Sequence, residues 1–248
     1  MDIDDSIISN TIYSNKQNDS EWHYHENLHI SFVFEGGKAD TLRNTKYTDP
    51  NGSVFFYHSE EKHRWISPQS ISKSANIEIG RAFLKKHQLS EAIIKEAITK
   101  RPNAKALILK IQNEMLTNDL NSHSSIESLV LELITNPEMK TFKDTPKWVV
   151  VLRELLHDNW DKELSLDEIA RIVQLHPITI SKYFRKYFSC TLGEYKRMLK
   201  VEKSIELIKE FDKSLYEIAY DCNFSDQSHF IRNFKKATGF LPKNFRSF

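Results

Sequence analysis

Three histidines, His23, His25 and His29, fall within seven residues of the stretch WHYHENLHISFVFEGG. In an extended chain side chains alternate with period 2, so positions i, i+2 and i+6 share a face. His63 lies beyond a turn signal at Asp49-Pro50-Asn51-Gly52 and is a fourth candidate for the same site. Four imidazoles could hold Zn²⁺ or another nitrogen-preferring divalent ion, and without a carboxylate they look more like a closed binding site than an open catalytic one. They could instead line a small-molecule or pH-responsive pocket, since imidazole titrates near neutrality. A third reading has them hydrogen-bonded with no metal between them. His58, His87, His123 and His157 are scattered and read as surface or interface residues.

The other chemistry on offer is basic. Over all 248 residues, 35 Lys and Arg against 34 Asp and Glu say nothing about partners. Residues 146–248, however, hold 18 basic against 14 acidic side chains. Within them, residues 177–200 carry Lys182, Arg185, Lys186, Lys196, Arg197 and Lys200 against the single acid Glu194. Residues 229–248 carry Arg232, Lys235, Lys236, Lys243 and Arg246 and no acid. Two local basic stripes in a near-neutral chain point to a polyanionic partner.

These groups must be positioned by elements of three textures. Residues ~20–85 are strand-like, with HISFVFEG, GSVFFYH and NIEIGRAFL as short β-branched or aromatic runs. Residues ~88–136 are helical, and Ile126, Leu129, Val130, Leu133 and Ile134 form a stripe that needs a partner surface. Met139–Lys147 is polar, contains a proline and reads as a boundary, with 141–147 as linker. From Trp148 onward the pattern is helical. The division is thus 1–140 and 148–248. Cys190 and Cys222 lack a CxxC spacing and read as reduced thiols. The acidic N-terminus shows no export signal, and no apolar run approaches the ~20 residues needed to cross a bilayer. A soluble cytoplasmic protein without a membrane partner is expected.

The last segment contains a weak repeat. Leu166-Asp167-Glu168-Ile169-Ala170 is echoed by Leu215-Tyr216-Glu217-Ile218-Ala219, and Ile180–Phe184 by Phe230–Phe234. Each copy is a short helix bearing Ile-Ala, a turn and a second helix, the layout of a helix-turn-helix. In the first unit Ile180 with Tyr183 or Phe184 should face inward, leaving Thr179, Ser181, Lys182 and Arg185 outside. In the second, Phe230 and Phe234 face inward; Gln227, Ser228, His229, Arg232, Asn233 and Lys236 lie outside. Arg and Lys suit guanine edges, Gln and Asn suit adenine, and flanking cations suit phosphates. Two such units joined by a long helix, roughly Tyr195–Phe211, can reach successive major grooves.

On these residues the C-terminal ~100 positions resemble the DNA-binding domain of the AraC/XylS family of transcription regulators. LSLDEIARIVQLHPITISKYFRK and SLYEIAYDCNFSDQSHFIRNFKKATGFLPKNFR carry the resemblance. It departs at Ser189 and Asn223, where glycine is usual, at His176, where a serine cap is usual, and at Phe245, where tyrosine is commoner. The spacing of His23, His25, His29, Pro50-x-Gly52 and His63 is similar to the two cupin motifs, with His29 in place of glutamate. The resemblance implies a cupin-like β-barrel with a helical extension, which senses a small-molecule effector and dimerises, followed by an all-α domain with two helix-turn-helix motifs. It also implies promoter DNA and RNA polymerase as partners and an activator rather than an enzyme. The rival reading is a metal-dependent cupin enzyme with an appended binding module.

Overall fold

The computed structural model describes residues 2–3, 5–13, 20–36, 38–41, 51–66, 71–135, 145–209 and 212–248. Seven strands come first: β1 (Asp2–Ile3), β2 (Ser6–Tyr13), β3 (Leu28–Glu35), β4 (Lys38–Thr41), β5 (Val54–Tyr57), β6 (His63–Ile66) and β7 (Ser72–Ile79). Five of them form an antiparallel sheet in the order β1-β2-β7-β3-β5, and β4 pairs separately with β6. Strand β3 lies inside the sheet and is buried on both faces. Leu28, Ile30, Phe32 and Phe34 alternate toward the core, while His29 pairs across the sheet with Tyr57 and Glu78.

Two expectations need correction. The described strands form an open sheet, not a closed barrel: β1 and β5 are its edges, and β4–β6 is joined to neither by a ladder. An isolated bridge between His23 and His63 extends the smaller pair instead. Second, NIEIGRAFL is not one strand. Strand β7 stops at Ile79 and helix α1 (Arg81–Lys86) begins after Gly80. The Asp5 carboxylate accepts from Ala82 N–H at 2.8 Å and Phe83 N–H at 3.2 Å. That cap arrives from a residue distant in sequence, before the stretch expected to contain the strands, and β1 and β2 lie there too. Pro50 and residues 141–144 of the expected linker lie outside the described residues.

Helices α2 (Glu91–Lys100), α3 (Ala104–Thr117) and α4 (Ser122–Ile134) pack on the sheet, and the α4 stripe from Ile126 to Ile134 is buried. Seven helices follow: α5 (Lys147–Asp158), α6 (Leu166–Ile172), α7 (Pro177–Phe188), α8 (Leu192–Ile208), α9 (Leu215–Asp221), α10 (Gln227–Thr238) and α11 (Pro242–Ser247). Three of them start with a capping box, in which Ser165, Thr191 or Ser214 exchanges hydrogen bonds with Glu168, Glu194 or Glu217. Such boxes fix helix starts locally, and those of α6 and α9 sit at equivalent places in the repeat.

The turns repeat as well. Gln174 and Asn223 adopt φ of 56° and 54°, and each turn closes on the preceding helix, Leu175 N–H to Ala170 O and Phe224 N–H to Ala219 O. Ser189 ends α7 at φ 57°, where its counterpart Gly239 ends α10 at φ 83°. A left-handed residue with a Cβ costs about 1–2 kcal/mol relative to glycine. Ser189→Gly is therefore expected to stabilise the chain by about 1 kcal/mol, read as a higher midpoint in thermal denaturation; an unchanged or lower midpoint would refute it. Gly239 cannot be exchanged in the other direction, because a Cβ there would lie 2.8 Å from the Asn113 side chain on α3.

The apolar interior is partitioned unequally. Val149, Leu152, Leu156, Ile169, Ile180, Phe184, Phe188, Tyr195 and Leu199 form a core belonging to α5–α7 and the first half of α8. Val201, Ile205 and Ile208 on the second half of α8, with Ile218, Phe230, Phe234 and Phe245, belong instead to one continuous core with the sheet and α2–α4. The first helix-turn-helix unit thus has its own interior, whereas the second shares one with the N-terminal region.

Candidate functional site

The two helix-turn-helix units present α7 and α10. On α7, Ile180, Phe184 and Phe188 are buried, and Tyr183 is 38% exposed, so Phe184 and not Tyr183 completes the inner face. Ser181, Lys182 and Arg185 are exposed and Thr179 is half-buried. His176 caps the helix, its Nδ1 accepting from Ile178 N–H at 3.3 Å, and Pro177 follows at the first position, where its missing N–H costs nothing. On α10, Phe230, Phe234 and Thr238 face inward. Ser228, Arg232 and Lys236 are exposed, and Gln227, His229 and Asn233 are half-buried. Asp226 caps α10 by accepting from His229 N–H at 2.7 Å, while Ser225 Oγ lies 3.0 Å from His229 Nδ1. The Asn233 amide donates to His229 O at 2.8 Å. His229 and Asn233 are therefore held by neighbours, and Arg232 projects from between them.

One residue of this face escaped the sequence reading. Ile178, in the first turn of α7, is 68% exposed. An apolar side chain there can meet a thymine methyl group. The only sequence signal was its position, one turn before Lys182.

The outer helices also border the N-terminal region. Asn103 and Lys110 of the α3 segment, Glu132 of α4, Arg185, Arg197, Asn233 and Lys236 line a cleft of about 530 Å³. Deeper in this contact α8 caps α3. Asn103 makes no side-chain cap, and the Glu202 carboxylate instead accepts from Lys105 N–H at 2.8 Å and Ala106 N–H at 3.3 Å. Burial pushes the Glu202 carboxyl up to about 7, against the pull of those N–H groups and of Lys105. Lys105 also pairs with Glu206. At the chain end, Lys73 Nζ on β7 donates to Phe248 O at 3.0 Å, and Phe34 on β3 meets Phe248 and Phe245 with ring centroids 4.7 and 6.3 Å apart.

The histidines are sorted by the structure. His23, His25 and His63 each offer a nitrogen, and the three atoms lie within 4.8 Å of one another. The backbones of His23 and His63 bond reciprocally at 3.0 and 2.9 Å, which holds two of the rings in register. His63 also stacks on Tyr57 with centroids 3.8 Å apart. His29 does not join the group, contrary to the four-imidazole expectation, although its ring lies 4.1 Å from that of His25. Its Nε2 meets Asn76 Oδ1 at 3.1 Å, and Asn76 Nδ2 donates to Thr11 at 2.8 Å. The amide oxygen therefore faces His29, which makes Nε2 the protonated nitrogen. Burial, reinforced by the neighbouring His25, lowers His29 to about 3. Burial likewise lowers His63 to about 4 against its bond to Glu61 O, and His25 is lowered by burial against the attraction of Glu78.

Residues 169–247 match the family model described as a helix-turn-helix domain. RhaS, an HTH-type transcriptional activator of Escherichia coli O139:H28, is 21% identical over 253 residues, covering 93% of this chain and 88% of RhaS. The chain is similar to AraC-type transcription regulators. It is a DNA-binding transcription regulator. A second relative, the uncharacterised HTH-type transcriptional regulator YtdP of Bacillus subtilis, is 29% identical over 133 residues, 44% of this chain but only 17% of YtdP. The crystal structure of ToxT from Vibrio cholerae, 12% identical, covers 97% of this chain and 98% of its own with a TM-score of 0.39, a superposition too loose to carry weight. RhaS and YtdP are transcription regulators by name and lend no support to an enzyme. Among the described residues no helix is long and apolar enough to cross a membrane.

Proposed function

We propose that this chain is an effector-responsive, cytoplasmic, non-enzymatic activator of transcription of the AraC/XylS type. Its sheet region, cupin-like in its histidine spacing, senses a signal and alters how the two helix-turn-helix units are set against each other. The observation that carries this reading is the unequal partition of the interior. The second unit is continuous with the sheet through Phe234, Phe245 and Phe34, whereas the first is cored separately. A shift in the N-terminal region is then transmitted to α10 and much less to α7, because packed interiors move as blocks. Helix α8, whose two halves serve the two cores, is where the relative setting would change.

On the DNA, Lys182, Arg185, Gln227, Arg232 and Asn233 are assigned to base edges. Thr179, Ser181, Ser228, His229 and Lys236 are assigned to phosphates or to mixed contacts. The family resemblance extends the reading to a homodimer and to contact with RNA polymerase. Selection of bound duplexes from a random pool by the full chain tests it. The expected consensus has two short determinants about one helical turn, ~10 base pairs, apart. A pool that stays random, or one that yields a single determinant, would sink the two-groove reading.

A further inference from the structure

His23, His25 and His63 are oriented as ligands to a common point rather than as members of a hydrogen-bonded group. Each ring has its Nδ1 engaged from outside. His23 Nδ1 lies 2.8 Å from Glu21 O, His63 Nδ1 lies 2.8 Å from Glu61 O, and His25 Nδ1 lies 3.1 Å from the Glu78 carboxylate. Because all three outer partners are acceptors, each Nδ1 carries the proton and each Nε2 keeps its lone pair. Metal-binding histidines are held in this way, with the outer nitrogen donating to a carbonyl or carboxylate. The three ligand-capable nitrogens lie within 4.8 Å of one another, and His25 Nε2 is buried with no hydrogen-bond partner. Three lone pairs this close to one another repel, and a shared cation relieves that repulsion. His29 differs in position: its Nε2 is turned to Asn76, and although its Nδ1 is also buried without a partner, it is not among the nitrogens that lie within 4.8 Å of one another.

We propose that His23, His25 and His63 bind one late first-row divalent cation through Nε2, and that this ion is the signal the sheet region reads. The second half rests on the sensory role proposed above. Imidazole donors favour Zn²⁺, Cu²⁺, Ni²⁺ or Co²⁺ over the oxygen-seeking Mg²⁺ and Ca²⁺. Three protein ligands also suit an ion that keeps one position for a small exogenous group. The site is wired toward the DNA-binding helices by strand β7. Glu78, the partner of His25, lies on the same strand as Lys73, which holds the C-terminal Phe248 carbonyl. Fixing Glu78 through a ligated His25 would therefore bear on the strand that anchors the second helix-turn-helix unit.

Chelator-stripped full-length protein titrated with Co²⁺ tests the first half without any DNA. About one equivalent should bind, with the visible absorption of a nitrogen-ligated ion. His23→Ala, His25→Ala and His63→Ala should each lose at least tenfold in affinity, and Glu78→Gln about 10–100-fold. His29→Ala should bind within about threefold of the parent, because the large losses come from removing ligands and the groups that directly support them. Less than ~0.2 equivalents bound by folded protein overturns the site. So does a loss for His29→Ala equal to that for His63→Ala, in variants whose far-ultraviolet circular dichroism matches the parent. The second half is read from the affinity for a selected duplex, which should change at least severalfold on adding Zn²⁺ to the parent but not to His63→Ala. Equal affinities with and without Zn²⁺ overturn the signalling role and leave the site standing. Loss of specific DNA binding altogether would instead count against the regulator reading, which the cobalt titration does not touch.

Discussion

Replacing Phe234 with alanine should cost about 3–5 kcal/mol, the usual penalty for emptying a buried phenylalanine site. Phe234 is fully buried, and its ring lies 5.8 Å from that of Phe230 and 5.7 Å from that of Phe245. Phe245 in turn meets Phe34 on an inner strand of the sheet. The loss should therefore not stay within α10. Amide hydrogen exchange of the full chain is expected to accelerate along β3 and β7 as well as in α9–α11, while α5–α7 keep most of their protection. Phe184→Ala is the control, since Phe184 is as deeply packed but belongs to the separate core with Phe188 and Tyr195. Its losses should fall on α5–α7 and spare β3. If Phe234→Ala leaves β3 protection unchanged, the shared interior is not a cooperative unit and the proposed relay fails with it.

That relay rests on features of unequal legibility in the sequence. The helix-turn-helix units were readable because their determinants are local. Ser165-x-x-Glu168 and Ser214-x-x-Glu217 fix helix starts within four residues, and Ile180, Phe184, Phe230 and Phe234 fall at helical spacing. The cap of α3 was not readable, because Glu202 lies about a hundred residues from the N–H groups it satisfies. Helix α1 was hidden for the same reason, its N–H groups being met by Asp5. The histidines fall between these cases. Period-2 alternation grouped His23, His25 and His29, but β3 begins only at Leu28. His23 and His25 therefore precede the strand, and the alternation that should bind them to His29 does not apply. What joins His23 to His63 is a backbone bridge across the chain, and what turns the His29 ring is its bond to Asn76 on the neighbouring strand. No spacing rule encodes either contact.

Arg232→Ala is expected to weaken binding to a selected operator by about 1–3 kcal/mol, roughly 5- to 150-fold, and to relax preference at one base position. Arg232 is exposed on α10, while the half-buried Asn233 beside it is tied back to His229 O. The guanidinium is therefore the side chain of that turn best placed to enter a groove, and its planar fork matches guanine O6 and N7. Lys236 lies one turn further along the same exposed face and is assigned to a phosphate as a point charge. Lys236→Ala should weaken all sequences by a similar factor and reduce the dependence of log affinity on log salt by about one. Competition binding at several salt concentrations, against the operator and random duplex, separates the two. A loss for Arg232→Ala that is equal on both duplexes would assign it to the backbone and leave base reading on α10 to Gln227 and Asn233. The pair of measurements also bears on the setting of the two units. If Arg232 reads a base, α10 enters the groove in the same packing that joins it to α3, and effector control must act through the angle of α8, not through uncovering α10.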